Sequence, residues 1–542
     1  MPTLDWIGKS AVVNHHRQVP CQLLRCDEKL SAGDPHSGNL LVQGDNLLAL
    51  KALLPYYAGQ VKCIYIDPPY NTGNENWVYN DAVNSPEMRS WLGKVVGSEA
   101  EDLSRHDKWL CMMYPRLALL RDFLRKDGAI FVSIADHEVH NLRLLMDEIF
   151  GANSFVATII WQKVYSPKSS AKHFSEDHDY IVVYARSPDV WRPNLIPRTE
   201  EQDKRYKNRD NDPRGSWKTS DLSARNPYSA GTYSITCPSG RVIQGPPKGT
   251  YWRVSEEKFW DMDRDNRIWW GNTGNSIPQI KRFLSEVKQG RVPQTLWPYR
   301  DVGHTQDAKK ELISICDFED SASVFITPKP LRLLGRILHV ASDEDSIILD
   351  TFAGTGTTGH AVLAANAADG GNRRFILVEM EADIAEKVTS QRLQRAIDGY
   401  ETTNASNTKQ VPGLGGGFRY CRLGQALFDE SGNIAGEVGF DDLAAHVYFA
   451  ETGQPLPRRR GKTKASPLLG VHNHAAVYLL YNGILGDKRV NGGNVLTGPV
   501  LGGLPAHDGP RVIYGEGCRL GRARLKREHV TFRQIPYEIK TT

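Results

Sequence analysis

The run Ile64-Tyr65-Ile66-Asp67-Pro68-Pro69-Tyr70-Asn71-Thr72-Gly73 constrains this chain more than any other stretch, because an apolar strand there ends against two prolines. Val61, Ile64 and Ile66 supply the strand. The prolines remove two backbone donors and fix φ, so the chain must turn at Asp67. The chemistry of that turn is specific. A carboxylate and a proline-flanked carbonyl are both acceptors, so Asp67 and Pro68 together can hold the two hydrogens of an exocyclic NH₂ group while Tyr70 offers a ring for stacking. A base extruded from a duplex presents such an amine and such a face.

A second signature lies far downstream. Ser346 to Asp350 reads as a strand, and Thr351 to Gly359 as a loop opening a helix over His360 to Ala368. Gly354, Gly356 and Gly359 match G-x-G-x-x-G, which permits close backbone approach to a nucleotide-like cofactor and tight helix packing. The next strand, Phe375 to Glu379, ends in a carboxylate able to accept from both hydroxyls of a ribose. Alone, this pattern fits a dinucleotide dehydrogenase equally well. The Asp-Pro-Pro-Tyr turn separates the two readings, because hydride transfer has no use for an amine cradle. Both elements stand at the carboxyl ends of strands, where open α/β sheets bind ligands, so they can face one crevice.

Strand and helix signals alternate along the N-terminal part in the manner of a parallel sheet covered on both faces. The pattern predicts strands at Leu40–Gln43, Ala129–Ile134 and Ile181–Tyr184, and helices at Asn46–Leu54, Trp109–Leu124 and Leu142–Phe150. From about Ser187 the texture changes. Seven of the chain's twelve tryptophans fall between Trp191 and Trp297, interleaved with basic residues. Arg198, Lys204, Arg205, Lys207, Arg209, Arg214 and Lys218 lie beside Tyr206 and Trp217, a mixture suited to phosphates, guanine edges and an opened base stack. The alternative is a β-rich insertion whose tryptophans form its own core. Glu401 to Gly417 reads as a linker into a third module with strands at Phe418–Phe428, Val471–Tyr481 and Val530–Ile539. That module carries two basic stretches, Arg458, Arg459, Arg460, Lys462, Lys464 and Arg519, Arg522, Arg524, Lys526, Arg527, each a DNA contact or a solvated loop.

Composition excludes little. A net charge of +4 over 542 residues does not announce nucleic acid, so a DNA surface has to come from local clustering. Eight cysteines without CxxC pairs argue against zinc and against a disulfide framework, and read as reduced thiols in a cytoplasm. No run approaches the roughly 18 apolar residues of a membrane span, and no export signal opens the chain. Asn404-Ala405-Ser406 is then a chance glycosylation sequon. Gly461-Lys462-Thr463 lacks the first glycine of a P-loop, with Leu456 in its place, and His137-Glu138-Val139-His140 has the wrong spacing for a zinc helix. No metal site is expected, and no nuclease or helicase constellation is visible.

On the Asp-Pro-Pro-Tyr turn, the Phe352 glycine loop, Leu41-Val42-Gln43-Gly44-Asp45-Asn46, Ile130-Phe131-Val132-Ser133-Ile134, His178-Asp179-Tyr180 and Thr327-Pro328-Lys329-Pro330, the first 400 residues resemble the β-class amino DNA methyltransferases. Within these the chain resembles the modification subunits of type III restriction-modification systems. The resemblance implies a Rossmann-like α/β sheet using S-adenosyl-L-methionine, split into 1–190 and 320–400 around a target-recognition insertion at 191–319, with a small accessory domain at 401–542. It implies that Asp67, Pro68, Pro69 and Tyr70 hold the target amine, and that Asp45, Lys329, Asp350, Phe352, Gly354, Gly356 and Glu379 meet the cofactor. It places target recognition in this middle segment, where the clustering of cations and rings makes Lys204, Arg205, Lys207, Arg209, Arg214 and Trp217 the expected DNA contacts. The expected reaction is methylation of adenine N6 in double-stranded DNA by direct displacement. The resemblance admits a homodimer and a separate restriction or helicase-nuclease subunit as partners, and no membrane. Cytosine-N4, RNA or protein amide methylation, a dehydrogenase and a non-catalytic DNA-recognition subunit are the rival readings.

Overall fold

The structure, a computed structural model, describes residues 4–71, 90, 93–96, 104–288, 290–318, 328–404, 407–429, 431–457, 466–486 and 492–536. Thr72 and Gly73 of the proline turn, Thr327, Ala405 and Ser406 of the sequon, and the basic stretch 458–464 lie outside them. The chain divides into two compact units, one of Met1–Asn194 with Gln294–Thr542 and one of Leu195–Pro293.

The first unit is built on a ten-stranded sheet. Its strands, numbered within the sheet, are β1 (Gln22–Gly33), β2 (Leu40–Gln43), β3 (Val61–Ile66), β4 (Leu124–Ile134), β5 (Phe155–Gln162), β6 (His178–Ala185), β7 (Leu296–Trp297), β8 (Ile347–Asp350), β9 (Arg374–Glu379) and β10 (Gly417–Ala426). They lie in the order β1-β10-β2-β9-β8-β3-β4-β6-β5-β7. The run from β10 to β4 is parallel throughout. The sheet is nevertheless mixed rather than parallel, because β6 runs against both β4 and β5, and β1 runs against β10. β5 and β6 are joined without a crossover helix, which compels them to pair in opposite directions.

Alternation along the strands sends side chains to two faces. Val42, Ile64, Ile66, Ile130, Val132, Leu349, Ile376 and Val378 pack with the helices Asn46–Tyr57, Arg105–Phe123 and Asp136–Phe150. The other face meets the helix Thr357–Asp369. A Cβ on Gly359 would come within 2.7 Å of Leu393, 3.0 Å of Leu377 and 3.6 Å of Phe375, so only glycine lets that helix approach the sheet this closely.

Several C-terminal expectations need correction. Phe418–Phe428 does not open a third module, because β10 enters the main sheet between β1 and β2. The expected linker at 401–417 contains most of a hairpin of Gly399–Asn404 against Asn407–Pro412. Val471–Tyr481 is no single strand, since positive φ at Asn473 and His474 folds it into a hairpin of Leu468–His472 and Ala475–Leu479. These two strands, with Arg511–Gly515 and Val530–Gln534, form a four-stranded sheet. Its core is continuous with Cys21 and Leu23 near the N-terminus. Not all cysteines are thiols: Cys26 stands directly opposite Cys421 across β1 and β10, and the two form a disulfide.

The second unit is narrower than the expected 191–319 insertion. Ile268–Trp269, Gln279–Phe283 and Trp217–Asp221 form a three-stranded sheet, and Trp252 and Trp270 are buried with Leu222, Ile235, Phe259, Ile268 and Ile280. Trp217 is 1% exposed, with its indole N–H on Asp210 at 2.7 Å, so it is core and not a free stacking platform. Arg214 is also committed. It holds the buried Asp212 carboxylate, at 2.8 Å between Nη2 and Oδ2, well below the usual carboxylate range. Lys204, Arg205, Lys207 and Arg209 remain exposed.

Candidate active site

The two sequence signatures meet because β3 and β8 are neighbours. Ile348 pairs with Cys63 and Leu349 with Ile64, so Asp350 and Asp67 leave adjacent strands at the same end of the sheet. β9 lies on the other side of β8 and β2 beyond it, with Glu379 opposite Gln43. Four carboxyl ends thus converge on one rim.

After Ile66 the prolines end the ladder, and the chain turns through Asp67 to Tyr70. The Lys329 ammonium donates to Asp67 Oδ2 and lies 5.2 Å from the Tyr70 ring centroid. Asp67 Oδ1 is buried and accepts no hydrogen bond from a described residue. The Pro69 carbonyl accepts from the Trp109 indole N–H at 2.7 Å, which anchors the turn to the Arg105–Phe123 helix. Burial, followed by the charge of Asp67, raises the Tyr70 phenol well above its ordinary range, so it stays neutral and can act as a flat ring.

Beyond β8 the loop is shaped by its own acids. Asp350 is 2% exposed, and its oxygens accept from the Phe352 N–H at 3.0 Å and the Thr358 hydroxyl at 2.5 Å. Burial pushes its carboxyl up to about 7, with the charge of Asp67 adding to the rise and these two hydrogen bonds opposing it. Asp350 therefore builds the loop. Gly354 and Gly356 adopt φ of 51° and 76°, in the left-handed region that favours glycine. Glu379, 2% exposed, accepts from the Gly354 N–H at 2.7 Å and the Glu381 N–H at 3.0 Å, which ties the end of β9 to the glycine loop. Phe352 is half-buried at the edge of the main core.

Asp45 is likewise a structural group. It caps the Asn46–Tyr57 helix by accepting from the Leu47 and Leu48 N–H groups at 2.9 and 3.0 Å, and pairs with Arg116 at 3.0 Å. Lys329 places its ammonium on Asp67.

Three residues escaped the sequence reading. Arg116, fully buried, bridges Asp45 and Asn46, while Asn46 donates to the Thr351 carbonyl at 3.2 Å. Glu138, also fully buried, accepts from the Asn71 amide and from His106 Nδ1, each at 2.6 Å, and from Asn141 at 2.8 Å. It thereby fixes Asn71, at φ 56°, directly after Tyr70. Arg392, 0% exposed, donates to the Thr355 and Thr357 hydroxyls at 3.0 and 2.8 Å beneath the glycine loop. An Arg on an apolar helix face gives no local signal of such a role. Glu138 stood in plain view within a rejected zinc motif.

Residues 61–390 match the DNA methylase family N6_N4_Mtase. The chain is 34% identical over 423 residues to the type III restriction-modification enzyme StyLTI Mod subunit of Salmonella typhimurium, an alignment covering 75% of this chain and 62% of that subunit. It is 30% identical over 469 residues to the EcoPI Mod subunit of Escherichia phage P1, covering 75% and 70%. It is 29% identical over 449 residues to the EcoP15I Mod subunit of Escherichia coli, covering 74% and 67%. The chain thus spans less than two thirds of the Salmonella subunit.

Proposed function

The chain belongs to the DNA methylase family, and we propose that it is a site-specific methyltransferase that moves a methyl group from S-adenosyl-L-methionine to N6 of an adenine in double-stranded DNA. The observation that carries this reading is the adjacency of the Asp67 turn on β3 to the glycine loop on β8. One neighbouring pair of strand ends then offers an amine acceptor and a nucleotide cradle together.

The cradle fits the cofactor. Left-handed glycines bring backbone close to a ligand, Glu379 sets a carboxylate, the group that accepts from ribose hydroxyls, against the glycine loop, and Phe352 adds a half-buried ring. When bound, S-adenosyl-L-methionine supplies an electrophilic methyl carbon on a sulfonium. The protein's part is orientation. Asp67 Oδ1, which accepts no hydrogen bond from a described residue, and the Pro68 carbonyl accept the two amine hydrogens, which turns the nitrogen lone pair away from the turn. Tyr70 covers the face of the extruded base, and Lys329 keeps Asp67 in place from the other oxygen.

The relatives named Mod subunits support a modification and specificity role beside a separate restriction subunit. In the Leu195–Pro293 unit the exposed Lys204, Arg205, Lys207 and Arg209 are the phosphate contacts of this reading. Among the described residues no helix is long and apolar enough to cross a membrane. Long-read sequencing of DNA from a methylation-free host expressing the chain tests the proposal. N6-methyladenine confined to one sequence context is expected, and N4-methylcytosine or unmodified DNA would refute it.

A further inference from the structure

β5 and β6 are joined by a loop that leaves the sheet at the rim where Asp67 stands. The register places it there. Ile66, at the end of β3, pairs with Val132 of β4; Ile134 pairs with Tyr180, and Gln162 pairs with His178 one step further out. The neck of the loop is closed by the Lys163 and Val164 N–H groups, which donate to the Asp177 carbonyl at 2.9 and 3.3 Å. The Lys163 ammonium pairs with the buried Asp179 carboxylate at 2.6 Å. That carboxylate also feels the charges of Lys329 and Asp67, so the neck borders the amine-binding turn.

The loop is braced within itself. The Ser175 hydroxyl accepts from the Lys168 N–H at 2.7 Å and donates to Asp177 at 2.5 Å, and the Tyr165 ring packs edge-on against Tyr299 at 5.3 Å between centroids. This framework holds out Phe174, which is 91% exposed, against 66% for the next most exposed large hydrophobic among the described residues. Lys168, Lys172 and His173, all exposed, precede it, and the acids Glu176 and Asp177 come only at the closing neck. An apolar ring presented by a cationic, braced loop suits a partner with an anionic exterior and an apolar interior. A base-paired duplex is such a partner, and apolar wedges between base steps hold open the gap that extrusion of a base creates.

We propose that Phe174 enters the duplex in place of the extruded adenine, with Lys168 and Lys172 on the flanking phosphates. The inference rests on the function proposed above. Two duplexes carrying the site found by host sequencing test it, one fully paired and one with an abasic residue opposite the target, where the adenine is already unpaired. Phe174→Ala is expected to lose at least tenfold in kcat/KM on the paired duplex and to return within threefold of wild type on the abasic one. Phe174→Leu should fall between them, and S-adenosyl-L-methionine affinity should not change. 2-Aminopurine at the target position should brighten on binding to wild type and less with Phe174→Ala. An equal deficit on both duplexes would overturn the wedge, and so would an unchanged rate on both, which would assign the ring to a protein partner. The wild-type rate on the paired duplex tests the function itself, whereas the ratio between duplexes tests Phe174.

Discussion

The Lys329 ammonium donates to Oδ2 of Asp67, a carboxylate 262 residues earlier in the chain. This single hydrogen bond ties the segment before the glycine loop to the amine-binding turn. It leaves Oδ1 as the oxygen through which Asp67 can meet a substrate amine.

Lys329→Met should therefore act on turnover more than on cofactor binding. We expect kcat to fall by about tenfold or more, on the order of 1.4 kcal/mol in the barrier, while calorimetry finds S-adenosyl-L-methionine affinity within threefold of wild type. A large drop in affinity with unchanged kcat would return Lys329 to the cofactor-binding role expected from sequence.

The glycine loop makes the opposite demand. At Gly356 a side chain would meet φ of 76° and stand 2.9 Å from Thr389 Cγ2, a strain on the order of 1–3 kcal/mol. Gly356→Val and Glu379→Ala are both expected to weaken S-adenosyl-L-methionine binding at least tenfold by calorimetry. Unchanged affinity in both would make the loop a structural turn only.

Asp350 sets a pH dependence of stability. Its folded carboxyl is pushed up to about 7, whereas an unfolded aspartate releases its proton near 4. Between these values the native state binds more protons than the unfolded state, so stability falls as pH rises from about 4 to about 7. Asp350→Asn removes this titration. Denaturant midpoints measured across that window should decline less steeply in the variant, and parallel slopes would contradict the assignment.

In the Leu195–Pro293 unit, charge and core should separate. Neutralising Lys204, Arg205, Lys207 and Arg209 together should weaken binding to all duplexes and flatten the salt dependence, by about 0.9 in log–log slope for each phosphate that no longer meets a cation. Trp217→Ala should instead destabilise the fold, read as a lower melting temperature, by the about 3–5 kcal/mol of unfolding free energy typical of deleting a buried aromatic. A Trp217→Ala protein with full stability and poor DNA affinity would reverse this division.

What the sequence made legible follows from the range of the forces involved. The Asp67 turn and the glycine loop are local: proline geometry and glycine φ act within a few residues, and both stand where expected at strand ends. The pairing of Asp45 with Arg116 and the placement of Lys329 on Asp67 depend on which elements become neighbours, which no window of sequence states. Trp217 misled for a related reason. Aromatic rings beside cations look alike whether they stack on a base or form a core, and only burial separates the two. β10 read as the start of a new module because its pairing partners, β1 and β2, lie near the other end of the chain.

The most direct test of the central claim is the nucleoside product of Asp67. Duplex DNA incubated with S-adenosyl-L-methionine and either wild-type or Asp67→Ala protein is digested and analysed by mass spectrometry. N6-methyladenine from wild type, and at least a hundredfold less from a folded Asp67→Ala protein that still binds S-adenosyl-L-methionine, is the expected result. Near wild-type N6-methyladenine from that variant, or methylcytosine from the wild type, would contradict it.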